Sequence, residues 1–372
     1  MTPPWSRPEP FGAWVRLDDR TLVAVDHALA ARLGVPAGDT HDAPRPLEVH
    51  LAVTQRCFAP CEGCYMGAHP DGLEPSQEEL RARLEALRDE GASTVAFGGG
   101  EPLLRKDIGE LATIARALGM VPVMTTSGLG LTDERARGLS DFAQINVSHD
   151  GTGGGYARVR GFEGEGPAER AIAILARAQI PVGVNFVLMR GSFEHLLPTC
   201  DRVADLGAGE IQLLRYKPQG RAAGMSYLER RLGPAEIDRL WPAITTIVQA
   251  GRLRVRIDCA MVPLLSEALL ASTARPAETL ASLGVLGCEA GRHLGAVDVE
   301  GRSAPCSFSS SESGELDRFR AYHAAPPAPC ATCPLFSVCR GGCQVVSQHA
   351  LRGAFAPDPE CPRVRARAGT SR

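Results

Sequence analysis

Apolar and polar positions follow a regular order along most of this chain. Apolar side chains occupy every second position from 49 to 53, which predicts a strand with one buried face. Ser76 then precedes an amphipathic stretch that runs to Asp89, and Glu79 stands three residues after Ser76. This spacing is the signature of a capping box, so we predict that a helix begins directly after Ser76.

The same strand-then-helix order recurs as far as residue 214. Further strands are predicted at 94–97, 121–126, 143–148, 182–188 and 210–214, and helices at 107–118, 133–139, 167–179 and 195–206. Glycine or proline stands at most of the junctions. Units of this kind indicate an α/β fold with a parallel sheet, which right-handed crossovers would curl into a full or partial barrel. Its chemistry would lie at the carboxyl ends of the strands.

The pattern is different at both ends of the chain. The first residues are rich in proline, and 15–34 predicts two strands and a short helix. After the barrel pattern ends, a helix at 234–250 and a strand at 252–257 lead to a cysteine-rich region with a hairpin that turns at Glu300 and Gly301. We therefore predict four parts: an N-terminal extension (1–46), a barrel core (47–220), a bridging region (221–285) and a cysteine-rich domain (286–372).

Composition and charge exclude several classes of protein. Hydrophobic residues make up 44% and charged residues 22% of the 372 residues, as in ordinary globular enzymes. The formal net charge of −3 gives no basic field, so we expect no nucleic acid partner. No apolar run approaches the ~20 residues that span a bilayer, and the N-terminus lacks a secretory signal pattern. Twelve cysteines in such a chain favour metal binding over disulfides, and we expect a cytoplasmic protein with no membrane partner.

Ten of the twelve cysteines form two ordered sets, and the first is a C-x3-C-x2-C triplet of Cys57, Cys61 and Cys64. It follows the first predicted strand directly. Three thiolates on one short loop can hold three corners of a four-iron cluster and leave the fourth iron open. A zinc knuckle is the alternative, but zinc prefers four ligands and the nearest downstream histidine is His69.

The second set contains seven cysteines in the last quarter of the chain. It consists of Cys288, Cys306, Cys330, Cys333, Cys339, Cys343 and Cys361, with Gly301 between the first two. A pair of structural zinc sites is the alternative to iron–sulfur clusters for this array.

The triplet, followed by Tyr65, resembles the cluster-binding loop of the radical S-adenosylmethionine (radical SAM) superfamily. After the second strand, the run Gly99, Gly100, Glu101 and Pro102 resembles the GGEP motif of that family. The resemblance implies a partial (β/α)6 TIM-like barrel. It also implies that S-adenosylmethionine chelates the open iron, that one electron cleaves it to methionine and a 5′-deoxyadenosyl radical, and that this radical removes a substrate hydrogen. The glycine loop would let the ligand approach closely, and the glutamate would accept hydrogen bonds from its ammonium group.

Two further segments, 148–151 and 156–161, resemble the family less closely. Ser148, His149, Asp150 and Gly151 match its S-x-D-G pattern, which implies that Ser148 and Asp150 lie near the carboxylate and ribose of the ligand. The family usually has an apolar residue at the position of His149, so we interpret this histidine as a packing or turn residue.

Three polar residues beyond this segment are candidate ligand contacts. Arg160, before Gly161, is our choice for the methionine carboxylate; Arg158 competes with it, and a surface charge is the alternative for either. Asn185 would reach the ribose or support a turn.

The seven-cysteine array resembles the SPASM extension of radical SAM enzymes at every spacing. The resemblance implies that Cys330, Cys333, Cys339 and Cys361 hold a distal auxiliary [4Fe–4S] cluster, and that Cys288, Cys306 and Cys343 hold a nearer one. Some relatives add a cysteine shortly before the first of these, but residues 280–287 contain none. Either this cluster keeps an open iron, which we favour, or Cys259 closes it. Cys200 is interpreted as a packed helix residue.

SPASM enzymes mostly modify ribosomally made peptides, so the resemblance implies a peptide maturase. Sulfatase maturation is disfavoured, because those enzymes carry an aspartate directly after the cysteine that matches Cys306, and Ser307 stands here. A small-molecule enzyme of cofactor or secondary metabolism is the alternative. The cations Arg215, Lys217 and Arg221 would meet an acidic substrate or form a solvated loop. A non-catalytic iron–sulfur electron carrier is the third hypothesis.

Two partners follow from the resemblance. A ferredoxin or flavodoxin would supply the electron. Many peptide maturases carry a leader-recognition domain of ~80–90 residues before the barrel. The predicted extension is shorter, so leader binding would need a separate protein or another surface.

Overall fold

We describe the protein from a computed structural model that places residues 5–9, 12–18, 21–35, 46–224, 226–282 and 285–369. The residues outside this description include the first four and residues 36–45, at the end of the predicted extension. They also include residues 283–284, which belong to the stretch 280–287 without cysteine.

The described strands and helices follow the predicted order closely. The strands are β1 (Trp5–Glu9), β2 (Gly12–Arg16), β3 (Leu22–Asp26), β4 (Glu48–Thr54), β5 (Thr94–Gly99), β6 (Val121–Thr126), β7 (Gln144–Ser148), β8 (Val182–Leu188), β9 (Glu210–Arg215), β10 (Arg254–Ile257), β11 (Leu294–Val297) and β12 (Ser303–Ala304). The helices are α1 (His27–Arg32), α2 (Gln77–Asp89), α3 (Ile108–Ala117), α4 (Asp133–Arg137), α5 (Gly155–Arg160), α6 (Glu165–Arg177), α7 (Leu196–Asp205), α8 (Ser226–Arg230), α9 (Pro234–Ala250), α10 (Ser266–Ser272), α11 (Pro276–Ser282), α12 (Glu315–Ala324), α13 (Phe336–Cys339), α14 (Gln344–Ala350) and α15 (Pro362–Gly369).

A nine-stranded sheet forms the centre of the molecule, in the order β10-β9-β8-β7-β6-β5-β4-β11-β12. Strands β4 to β10 and β11 run parallel, and β12 is antiparallel to β11. The predicted six-strand α/β barrel core is confirmed. The sheet is also wider than predicted, because β10 extends one edge and the hairpin of β11 and β12 joins the other edge beside β4.

Helices cover the convex face of this sheet because their apolar side chains repeat at helical spacing. Leu80, Leu84 and Leu87 of α2 are buried in the same core as Leu51 of β4. The predicted capping box is present at its start. The Ser76 N–H donates to Glu79 Oε2 (2.7 Å) and the Glu79 N–H donates to Ser76 Oγ (3.2 Å).

The N-terminal strands β1, β2 and β3 form a separate antiparallel sheet. Strand β1 was not predicted. Arg7 donates to the carbonyl oxygen of Pro46 (3.2 Å), and Arg16 donates to Ser93 Oγ (2.8 Å). Since Pro46 and Ser93 precede β4 and β5, this small sheet lies at the amino ends of the barrel strands, opposite the ends where chemistry is expected.

Along the barrel strands, every second side chain points to the concave face, and many of these are polar. Examples are Asn146 of β7, Asn185 of β8 and Gln212 of β9, which line a common cavity. Within the described ranges, no helix is long and apolar enough to cross a membrane.

Candidate active site

A cavity of about 680 Å³ occupies the concave face at the carboxyl ends of the strands. The predicted site residues that line it are Cys57, Cys61, Cys64, Tyr65, Gly99, Gly100, Glu101, Ser148, Asp150, Arg160, Asn185 and Cys306. The cysteine triplet, the glycine run and one edge of the second cysteine set therefore face the same space.

The triplet lies on the loop after β4. Arg221 holds this loop, because its Nε donates to the carbonyl oxygen of Cys61 and its Nη1 to that of Ala68, both at 2.8 Å. Burial raises the pKa of the Cys57 and Cys61 thiols, and neighbouring thiols add to the effect. A cationic metal cluster would stabilise the thiolates against both burial and the repulsion between neighbouring thiolates. The donor set therefore fits an iron–sulfur cluster.

Arg160 stands beside this loop at the end of α5. Its Nε donates to Asp150 Oδ2 (2.6 Å), and its Nη1 donates to Cys61 Sγ (3.8 Å). Asp150 is fixed in turn, because its Oδ1 accepts the N–H of Val187 (2.7 Å). Burial opposes the charge of Arg160, but Asp150 outweighs it and raises the pKa of the guanidinium. Arg158 is exposed and does not line the cavity, so the geometry separates the two candidate arginines.

The glycine run packs tightly against the cysteine loop. Gly99 has a positive φ of 119°, and a Cβ there would lie 2.2 Å from the carbonyl oxygen of Thr54. A Cβ on Gly100 would lie 2.1 Å from that of Arg56. Glycine is therefore required at both positions because the backbone of the neighbouring loop packs against them. The sequence had predicted a different reason, the close approach of a ligand.

Glu101 is a buried anchor between two loops. Its Oε1 accepts the Leu103 N–H (3.0 Å) and the Thr126 hydroxyl (2.6 Å), and its Oε2 accepts the N–H of Ser127 (2.8 Å). Four percent of the residue is exposed, and it still borders the cavity. Pro102 is buried beneath it at the start of a short turn. The contact of Glu101 with an ammonium group remains a prediction.

Asn185 presents an unpaired acceptor at this cavity. Its Nδ2 donates to Thr125 Oγ1 (3.3 Å), whereas its Oδ1 is buried without a hydrogen-bond partner. A ligand hydroxyl or N–H would satisfy this atom, so the site fits a polar ligand. Ser148 also borders the cavity. His149 does not; it is fully buried, its ring meets that of Tyr156 edge-on, and burial lowers its pKa, as a packing residue requires.

Aromatic and cationic groups connect the two cysteine sets. The rings of Tyr65 and Phe308 lie 4.5 Å apart, and Lys217 Nζ lies 4.3 Å from the centre of the Phe308 ring. Tyr65 follows Cys64 and Phe308 is two residues after Cys306. The triplet loop and the nearer part of the C-terminal set thus meet through one aromatic contact.

The seven C-terminal cysteines fall into two spatial groups. Cys330, Cys333, Cys339 and Cys361 line one apolar cavity together. Cys306 packs partly against the buried cluster that contains Cys288 and against the one that contains Cys343. The set of four shares one cavity, and Cys306 bridges the packed clusters of Cys288 and Cys343; the ligand sets themselves remain a prediction. Within the described ranges, no three His, Cys, Asp or Glu side chains are grouped as a single metal ion would require.

Two of the three cations at the end of β9 and in the loop after it were interpreted wrongly from the sequence. Arg215 and Lys217 are buried, with 4% and 7% of their surface exposed, and pair with Asp358 and Asp258. Arg221 donates to the cysteine loop as described. Arg215 and Lys217 are therefore not solvated loop charges, whereas Arg221 is exposed and binds the backbone of the cysteine loop.

A hydrogen-bonded chain that the sequence did not suggest lies at the cavity wall. His50 Nδ1 lies 3.0 Å from Ser307 Oγ, and His50 Nε2 lies 3.1 Å from Glu48 Oε1. Burial raises the pKa of Glu48, but the bond to His50 outweighs it and lowers that pKa to about 2. An ionised Glu48 accepts from Nε2–H, which leaves Nδ1 as the acceptor for the Ser307 hydroxyl. The strand alternation of Glu48 and His50 is visible in the sequence, but their contact with Ser307 is not.

Comparison with known proteins is consistent with this geometry. Residues 51–202 match the family model of the Radical SAM superfamily. The chain is 29% identical to the PqqA peptide cyclase of Rhodopseudomonas palustris over 343 residues, which cover 85% of this chain and 86% of the relative. It is 25% identical to the AdoMet-dependent heme synthase of Nitratidesulfovibrio vulgaris over 360 residues, which cover 87% of this chain and 96% of the relative.

Solved structures share the fold. Streptococcus suis SuiB bound to the precursor peptide SuiA superposes with a TM-score of 0.72 at 14% identity, covering 96% of this chain and 98% of the other. The anSMEcpe enzyme with bound AdoMet and a peptide superposes with a TM-score of 0.61 at 17% identity, covering 87% of this chain and 100% of the other.

The fold and the cavity define a radical SAM enzyme. Its C-terminal part carries the seven-cysteine array that resembles the SPASM extension, and the solved structures share the fold of this part. The cofactors of this class are S-adenosylmethionine, a [4Fe–4S] cluster and auxiliary iron–sulfur clusters.

Proposed function

We propose that this enzyme modifies a ribosomally synthesised peptide by radical chemistry. The observation that carries the proposal is the single cavity that the cysteine triplet shares with Cys306 and the polar stretch 307–311. A volume of about 680 Å³ lies in the range of ~300–1,000 Å³ typical of ligand pockets, and this cavity is partly open to solvent. A peptide segment can therefore enter while the rest of the chain remains outside. The similarity to PqqA peptide cyclases supports the same class of substrate.

In this proposal the triplet Cys57, Cys61 and Cys64 holds the [4Fe–4S] cluster. With S-adenosylmethionine bound, the cluster supplies a carbon radical that removes a hydrogen atom from the substrate. The chain itself positions the ligand: Arg160 pairs with a carboxylate, and Asn185 Oδ1 accepts from a ribose hydroxyl. Oxidation of the resulting substrate radical would release one proton and one electron. Ser307 would accept the proton while its own hydroxyl proton passes to His50 Nδ1, which Glu48 holds in place, and the auxiliary clusters would accept the electron.

The experiment is anaerobic reconstitution with iron and sulfide, followed by S-adenosylmethionine and dithionite. About twelve irons and formation of 5′-deoxyadenosine are expected, since three four-iron clusters are proposed. Replacing Cys57, Cys61 and Cys64 with Ala should abolish cleavage and leave about eight irons. Cys200→Ala is the matched control, because Cys200 is buried in α7 and belongs to neither set. Retained zinc with intact S-adenosylmethionine would contradict the proposal.

A small-molecule substrate is the second candidate, and the polar barrel wall of Asn146 and Gln212 favours it. The similarity to an AdoMet-dependent heme synthase points the same way. Synthetic peptides from short reading frames beside the gene separate the two hypotheses. Mass spectrometry should detect peptides that have lost hydrogen only if the peptide hypothesis is correct. An electron carrier, the third hypothesis, would leave S-adenosylmethionine uncleaved.

The partners are part of the proposal. A ferredoxin or flavodoxin would deliver the electron, and a separate leader-binding protein would present the peptide. We also propose a cytoplasmic location, where reduced thiols persist long enough to receive iron. Binding of each candidate protein to the reconstituted enzyme can be measured by anaerobic gel filtration.

A further inference from the structure

The nearer auxiliary cluster lacks a fourth thiol in the sequence pattern. Cys288, Cys306 and Cys343 supply three ligands, and an iron–sulfur cube has four irons. Whether the fourth iron is open decides its chemistry, because an open iron can bind a substrate whereas a closed cluster only transfers electrons. The structure brings one further cysteine to this place.

Cys259 begins the turn after β10, and the peptide that follows it is held beside Cys343. Ala260 and Cys343 pack in one buried cluster, against which Cys306 also packs. Arg215 Nη1 donates to the carbonyl oxygen of Ala260 (2.9 Å) and to Asp358 Oδ2 (2.6 Å). The same Asp358 oxygen accepts the N–H of Cys343 (3.0 Å). One buried ion pair therefore clamps the two cysteine-bearing segments together.

Hydrogen bonds and ring contacts link the thiol of Cys259 to the same region. Its Sγ donates to Asp258 Oδ1 (3.4 Å). Asp258 pairs with Lys217, whose Nζ lies 4.3 Å from the centre of the Phe308 ring, two residues after Cys306. The Cys259 thiol is thus connected to the segment of Cys306 through Asp258 and Lys217.

Lys217 supplies a positive charge at the same position. It pairs with Asp258, the residue before Cys259, and it is buried with its Nζ over the ring of Phe308. A buried cation favours thiolates, and thiolates are the form that binds iron. Cys200, the other cysteine outside the sequence pattern, is buried in α7 instead.

We propose that Cys259 is the fourth ligand of the auxiliary cluster held by Cys288, Cys306 and Cys343. This cluster is therefore closed, contrary to the open iron favoured by the sequence pattern. Its ligand comes from the loop after β10, so the barrel sheet and the C-terminal domain share one cluster. A closed cluster accepts or donates electrons and does not bind the substrate directly. The inference concerns ligation only and does not depend on which substrate the enzyme modifies.

The test uses the full-length chain with Cys57, Cys61 and Cys64 replaced by Ala, so that only the auxiliary clusters are present. After anaerobic reconstitution and reduction, the electron paramagnetic resonance spectrum is recorded with and without cyanide, a small ligand for open iron. The parent spectrum should be unchanged by cyanide. Adding Cys259→Ala should open one iron, so that cyanide shifts the spectrum or about one iron is lost per protein. Cys200→Ala should behave as the parent.

Two results would overturn the inference. A parent spectrum that shifts with cyanide shows an open iron, and this measurement needs no further variant. A Cys259→Ala protein with the iron content and cyanide response of the parent shows that Cys259 is not a ligand. If Cys259→Ala does not fold, Cys259→Ser is measured instead, because a serine oxygen can bind iron and should give a closed but altered spectrum. None of these readouts uses S-adenosylmethionine cleavage, so failure here is distinguishable from failure of the proposed function.

Discussion

Arg215 Nη1 and Nη2 lie 2.6 and 3.0 Å from the two carboxylate oxygens of Asp358, in a bidentate pair buried between β9 and the C-terminal domain. Glu360 Oε2 accepts a third bond from Nη2 (2.9 Å), and the hydroxyl of Tyr227 donates to the other oxygen of Glu360 (2.7 Å). Burial opposes the charge of Arg215, but Asp358 and Glu360 outweigh it and raise its pKa well above the usual value. The barrel and the cysteine-rich domain are thus joined by an ion network.

Breaking this network should destabilise the protein strongly. Arg215→Met leaves the buried carboxylate of Asp358 without its cation, whereas Glu360 keeps Arg231. We expect this change to lower the free energy of unfolding by about 3–5 kcal/mol. Urea unfolding under anaerobic conditions measures the loss. Arg202→Met is the matched control, because Arg202 pairs with Glu169 at the surface and should cost less than about 1 kcal/mol. Equal losses in the two variants would contradict the prediction.

The two candidate arginines of α5 should differ in their effect on S-adenosylmethionine binding. Arg160→Ala removes a cation that faces the cavity beside Cys61, and a charged hydrogen bond of about 1.5–3 kcal/mol corresponds to a 10- to 100-fold weaker affinity. Arg158→Ala removes an exposed charge and should change the affinity less than about twofold. Anaerobic equilibrium dialysis with labelled S-adenosylmethionine gives both dissociation constants. A larger effect of Arg158→Ala would reverse the assignment.

The pair of Glu48 and His50 should set the tautomer of the histidine. In the neutral form of the wild-type ring, nitrogen-15 resonance of the side chain should show a proton on Nε2 and none on Nδ1. Glu48→Gln removes the charged acceptor, so the preference for a proton on Nε2 should weaken. The free energy of unfolding should fall by no more than about 1 kcal/mol, because both side chains are about a third exposed. An unchanged tautomer would show that Glu48 does not control the ring.

His323 should make the stability depend on pH. Burial, followed by the charge of Arg340, lowers its pKa to about 4, whereas an unfolded histidine titrates near 6.5. As the pH falls from 6.5 toward 4, the unfolded chain binds the proton first, so the folded state loses stability in this window. His323→Phe should remove about 1 kcal/mol of the loss between pH 6.5 and 5.5.

Anaerobic urea unfolding at the two pH values measures this difference. His27→Gln, at an exposed histidine, is the control and should keep the pH dependence of the wild type. A His323→Phe protein with that same pH dependence would show that another group titrates in this window.

Local patterns were sufficient for most elements of the barrel. Helix α9 begins and ends where it was predicted, as do β6 and β8, because each is specified by neighbours within a few positions. Helix α5 was missed because glycines surround it and only one turn of apolar spacing is present. The pairing of β11 with β4 was also missed, because contacts between residues so distant in the chain leave no periodicity to detect.

The candidate site divides in the same way. Cysteine spacing and the glycine run indicated the ligands and the cavity because those residues are close together in the chain. The contact of His50 with Ser307 and that of Arg215 with Asp358 depend on segments that meet only after folding.

By itself, therefore, the sequence determined the class of protein, the order of the barrel units and the grouping of the cysteines, since all three are encoded in local spacing. Only the tertiary structure decided which charges are buried in pairs, which arginine faces the cavity and that Ala260, the residue after Cys259, packs in one cluster with Cys343. Those outcomes depend on burial and on distances between segments that are remote in the chain. The sequence does not distinguish a solvated charged side chain from one that is buried against a partner.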